Sequence, residues 1–137
     1  MSGIVNEQAI LDVYGKWPSF HDAEVLSIAL GRGVDGWPFL EAVFYLFEMT
    51  NEIDNQGYYV LRNHRIVCLR FEEISGLEIE DFDSQNVLFD LRIDHLEPSE
   101  NNDAAHEICF NASIGTEASF RCRRIEVKSV EPYTPAD

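Results

Sequence analysis

Between residues 65 and 94 the sequence keeps a period of two. In RIVCLRFEEI, Val67, Leu69 and Phe71 alternate with Cys68, Arg70 and Glu72. In NVLFDLRIDHL, Val87, Phe89, Leu91 and Ile93 alternate with Asp90, Arg92 and Asp94. Such spacing lines one face of an extended strand with apolar side chains and cannot line one face of a helix. It therefore predicts half-buried strands, with Val67, Leu69, Phe71, Val87, Phe89, Leu91 and Ile93 facing a core.

The same reading extends along the chain. AEVLSIAL is a strand ended by the turn-rich GRGVDGWP, and FLEAVFYLF is apolar on both faces, as a central strand is. TNEIDNQGYYVLRN reads as a loop turning at Asn55-Gln56-Gly57. In HEICFNASI the apolar face is Ile108, Phe110, Ala112 and Ile114; in ASFRCRRIEV it is Ala118, Phe120 and Cys122. Because a one-residue slip moves every side chain to the other face, burial selects a register with Ile114 opposite Ala118 and Phe110 opposite Cys122. Cys109 and Cys122 then lie on opposite faces and form no disulfide. The apolar phase changes between Cys122 and Ile125, which predicts a β-bulge at Arg123-Arg124. One short helix opens the chain: Asn6 is its expected N-cap, Ile4 or Val5 its staple onto Ile10, and Gly15 its stop. Strands joined by short loops, without alternating helices, predict an α+β domain over residues 1–137, mostly antiparallel sheet with one short N-terminal helix.

Charge narrows the function. Asp and Glu number 25 against 10 Lys and Arg, a net charge of −15. Nucleic acid and anionic membranes both demand a basic face, so neither is an expected partner. No apolar run approaches the ~18 residues of a membrane span, and the N-terminus lacks a basic region followed by an apolar one. A cytoplasmic location with reduced cysteines is the expectation. Residues 48–107 carry 15 of the acids but only Arg62, Arg65, Arg70 and Arg92. The densest run, EEISGLEIEDFD, has no base, and EPSENNDAAHE follows as a second acidic piece. Such a surface suits a basic protein partner, whose encounter it accelerates.

The stretch KWPSFHDAEV, residues 16–25, invites a chemical reading because His21 stands among carboxylates. A metal-dependent hydrolase using His21, Asp22 and Glu24 is one alternative. Against it, neighbours in an extended chain point to opposite faces, Ser19 has no nucleophile-elbow context, and no Cys-x-x-Cys or His-x-x-x-His spacing occurs. The structural reading is stronger: Pro18 extends Trp17, Phe20 plugs the core, and Asp22 or His21 ties down backbone amides. The three cysteines lack the basic, helix-start surroundings that make a thiolate. No cofactor is implied. A small acidic adaptor with an unrelated partner is the other alternative.

YGKWPSFHDAEVLSIAL, followed by QNVLFDLRI and SFRCRRIEVKSVEP, resembles the immunity protein 50 family of bacterial polymorphic toxin systems. The resemblance runs from about Ile10 to Pro132, and its most specific part is Trp17, Pro18, Phe20, His21, Asp22 and Glu24. It implies a cytoplasmic, non-enzymatic protein that binds and neutralises a cognate toxin. It brings no established contact residues. Charge alone points to Glu78, Glu80, Asp81 and Asp83 as the partner-binding patch, with Tyr58 and Tyr59 as aromatic anchors.

Overall fold

The computed structural model of the chain describes residues 3–97 and 105–135, so most of the second acidic piece lies outside the described residues. The elements are β1 (Ile4–Val5), α1 (Gln8–Tyr14), β2 (Glu24–Arg32), β3 (Pro38–Ile53), β4 (Tyr59–Glu72), β5 (Ser75–Glu80), β6 (Val87–His95), β7 (His106–Ile114), β8 (Glu117–Cys122) and β9 (Arg124–Pro132). The strands form a sheet in the order β1-β9-β4-β3-β2-β6-β7-β8-β5. Every neighbouring pair is antiparallel except β1 with β9. The architecture is α+β, mainly antiparallel sheet with one short helix, as the alternation predicts.

The sheet folds over on itself. Phe44 of β3 meets Phe110 of β7 with ring centroids 5.6 Å apart, and Phe71 of β4 meets Phe120 of β8 at 5.1 Å. In a flat sheet, with strands about 4.8 Å apart, those partners could not touch. One layer is therefore β9-β4-β3-β2, the other β6-β7-β8-β5, with the core between them. At one end the layers join through a minimal ladder, Glu24 opposite Val87. At the other, the chain crosses between layers twice, from β4 to β5 and from β8 to β9. There the Arg123 amide donates to the Glu72 carbonyl (3.0 Å) and the Ile74 amide to the Pro38 carbonyl (3.1 Å).

Several expectations hold. Val67, Leu69, Phe71, Leu91, Phe110 and Phe120 are buried, as is Phe20. Gly15 ends α1 in the left-handed conformation, φ 76°.

Others are corrected. Phe89 is 58 % exposed while Leu88 is fully buried. A bulge between Leu88 and Asp90 inserts Phe89 as an unpaired residue and reverses the phase before it, so Val87 is only partly covered; Ile93, in phase with buried Leu91, packs against the core but is also only partly covered. Asn6 does not cap α1: it sits at φ 63° and its side-chain amide donates to the Val127 carbonyl (3.0 Å), and Glu7 takes the N-cap position. Ile4 and Val5 also pair with Ile125 and Glu126 of β9, and Ile4 is buried in the same core as Ile10. Much of residues 50–63 is strand, because β3 and β4 form one long hairpin whose turn is closed by Asp54, bonded to the amides of Gln56 and Tyr58. In β7–β8 the expected faces are right but the register slips by four, with Phe110 opposite Ala118 and His106 opposite Cys122. Beyond Phe110, β7 continues beside β6 alone, and the β7–β8 turn is tied to the Asn86 carboxamide, which accepts from the Thr116 amide (3.1 Å). At Arg123 there is no bulge; the strand stops at Cys122 and resumes at Arg124 in the other layer. All three cysteines are free.

Candidate partner-binding surface

Residues 17–24 form the clasp at the joint between the layers. Phe20 and Asp22 adopt φ of 65° and 66°, a conformation that costs a non-glycine residue about 1 kcal/mol. The resulting turn makes a ladder with β6: the Asp22 amide donates to the Leu88 carbonyl (2.9 Å), the Leu88 amide to Ala23 (2.9 Å), and the Leu91 amide to Ser19 (3.0 Å). His21 Nδ1 meets the carbonyl of Phe89 at 2.9 Å, and its ring stands edge-on to Phe89. Phe20 packs between Trp17 and Phe44. Because the backbone is a turn and not extended, His21 and Asp22 do approach, Nε2 to Oδ2 at 3.6 Å, against the expectation of opposite faces.

That pair is solvent-exposed, and beside it the Ser19 hydroxyl oxygen accepts from the His21 amide (3.3 Å). Glu24 lies in the ladder opposite Tyr45 and Val87. Among the described residues, no group of three or more His, Cys, Asp and Glu is arranged to hold a metal ion. A hollow of about 560 Å³ separates this turn from Leu46–Met49 of β3, bordered by Trp17, Phe47 and Met49 with Lys16, Asp22 and Glu48. Its charges are mixed, and Ser19 and His21 border it as well.

The acidic candidates fall on the other layer. Glu78 and Glu80 project outward from β5, opposite Ser119 and Glu117 of β8. Continuing across the face, Glu117 and Asn111 of β7 border the same small hollow as Glu78 and Glu80, and Asn111 lies opposite Asp90 of β6, donating to its carboxylate. Glu80, Glu117 and Asp90 thus gather on one face, a grouping that sequence order hides. Asp81 and Asp83 follow β5, flanking Phe82, which is half exposed. This loop is held firmly: the buried Asn86 accepts from the Asp83 amide (2.9 Å) and donates to the Asp83 carbonyl (2.8 Å). Gly115 closes against it, since a Cβ there would lie 2.4 Å from the Gln85 carbonyl oxygen. Tyr58 and Tyr59 are exposed at the hairpin tip. Thirteen residues of β4, about 43 Å of strand, separate Tyr59 from the β5 end of that strand.

The arginines nearby are engaged by other carboxylates, Arg121 of β8 and Arg92 of β6 included. Arg70 bonds Glu41 (2.9 Å) and Glu72 (3.1 Å) while covering Phe39, and Arg124 bonds Glu72 at 2.7 Å. The hydrogen bond from Arg124 holds the Glu72 carboxyl below its ordinary range. Arg123 pairs with Glu73, Arg121 with Glu107 and Arg92 with Asp94. Among the described residues Glu78, Glu80, Asp81 and Glu117 enter no ion pair. A hollow of about 140 Å³ on this face also touches Cys109, whose thiol is pushed up by burial and by Glu107, so it remains protonated and unreactive.

Sequence reasoning missed Glu117, Asp90 and Phe82. Only strand register brings the first two beside Glu80, and Phe82 showed itself only as one aromatic inside an acidic run.

Among known families, the profile of Immunity protein 50 matches residues 6–133 of the chain. The chain belongs to that family, as the WPSFHDAE stretch and the later strands suggest. No curated protein and no solved structure matches it.

Proposed function

We propose that this member of the Immunity protein 50 family neutralises a cognate toxin by binding it directly, without chemistry of its own, through the outer face of β5–β8–β7–β6. The family name supports an immunity role with a toxin as partner in general. The observation that carries the choice of surface is the set of uncompensated carboxylates, Glu78, Glu80, Asp81 and Glu117, on a strand and loop already held in place. Fixed charges of one sign attract a basic partner over about a Debye length, 8–10 Å, and raise the encounter rate without demanding rearrangement. The partner is accordingly a basic toxin domain, met in the cytoplasm of the producing cell. His21, Asp22 and Glu24 serve the clasp between the layers.

The test pairs the protein with the toxin domain encoded beside its gene. Charge reversal at Glu80 and Asp81 should slow association at least about tenfold in low salt, and the deficit should shrink as salt rises. An unchanged association rate at low salt removes this face from the interaction.

A further inference from the structure

The acidic face ends in an open sheet edge. β5 is the last strand in the order, and no described strand pairs with its outer side. Alternate residues of such a strand direct their amide and carbonyl groups outward, a ready template for another chain. Leu77 and Ile79 pack toward the core, so the side chains left to greet a newcomer are Glu78 and Glu80. Phe82 lies just beyond the strand end, exposed and flanked by Asp81 and Asp83.

Charge selects the occupant. A second copy pairing antiparallel along this edge would set Glu78 and Glu80 against their own equivalents. Like charges directly opposite one another across a ladder are destabilising. A strand carrying Lys or Arg at alternate positions reverses that sign, since cross-strand neighbours stand about 4.5–5.5 Å apart. The loop that presents Phe82 is fixed in advance by Asn86, so seating an aromatic anchor costs little ordering entropy.

We infer that β5 is the docking edge for an extended basic segment of the toxin, which continues the sheet beside Ser75–Glu80 and packs on Phe82. This rests on the neutralisation reading above and adds how the contact is made: main-chain pairing gives strength, and Glu78 and Glu80 choose the sequence.

The experiment uses the full chain and two synthetic nine-residue peptides, one alternating Lys and Val, the other alternating Glu and Val. Amide hydrogen exchange is followed residue by residue. The Lys peptide should slow exchange of the outward amides of β5 roughly tenfold and shift the Phe82 resonances, and the Glu peptide should do neither. In a Glu78→Lys/Glu80→Lys variant the preference should invert. Protection that avoids β5, an uninverted preference in the variant, or self-association of the protein through β5 overturns the inference. Toxin inhibition is measured separately. Neutralisation without β5 protection by the toxin removes the edge and keeps the function, whereas capture of the basic peptide with no toxin inhibition does the reverse.

Discussion

Leu88 and Phe89 are adjacent, and truncating each to alanine separates two accounts of β6. Leu88 is fully buried in the core. Removing its side chain forfeits transfer energy and leaves a cavity, together about 3–4 kcal/mol. Phe89 is 58 % exposed, so less than half its surface leaves water on folding. That is roughly 80 Å², worth at most about 2 kcal/mol at ~25 cal/mol/Å², and nearer 1 once a compact denatured state and the surface kept by alanine are allowed for. No cavity term applies. If the plain alternation of the sequence ruled, the order would be opposite, with Phe89→Ala costing about 3–5 kcal/mol and Leu88→Ala little. Urea unfolding of the two variants beside the wild type, with the denaturant slope unchanged, reads the difference directly. A Phe89→Ala protein less stable than the Leu88→Ala protein would refute the bulge.

Asn86→Ala should cost about 3 kcal/mol by the same assay, because it strips partners from the amides of Asp83 and Thr116 and from the Asp83 carbonyl. A loss under about 1 kcal/mol would mean that water replaces the carboxamide and that the 81–86 loop is not held by it. Glu72 has a folded pKa below its ordinary 4.5, so its stabilisation is present above pH 4.5 and is lost as pH falls through the lowered value. Glu72→Gln should be less stable than wild type near pH 7, and the gap in urea midpoint should close on acidification below 4.5; a gap independent of pH contradicts the pairing with Arg124 and Arg70.

The sequence disclosed most where one face is buried and the other wet. Val67, Leu69 and Phe71 alternate in a strand paired on both sides, and no other phase buries them. The same logic failed at Phe89 because the bulge is imposed from outside the strand, by the turn at Phe20–Asp22 docking on the carbonyls of Leu88 and Phe89. The distal half of the β3–β4 hairpin was invisible for another reason. From Glu48 to Leu61 most side chains are exposed on both faces, so no hydrophobic phase marks those residues as strand. The acidic run at 72–83 was plain, but its continuation through Glu117 and Asp90 depends on register across β5, β8, β7 and β6, which a linear reading does not contain. The motif at 17–24 was legible as a fastening, though not as a turn with two left-handed residues.

The position of β9 bears on how the protein is made. β9 lies between β1 and β4, so the first strand of the described chain and one side of the central hairpin both wait for the last one. On a ribosome, residues 4–5 emerge more than a hundred residues before their partners 125–126, and β4 spends that interval with a bare flank. Closure over such a span is slow and leaves a sticky edge exposed during synthesis. Cells overproducing the protein should therefore accumulate chaperone-bound nascent chains, and any truncation within residues 124–132 should yield insoluble product although every strand up to β8 is intact.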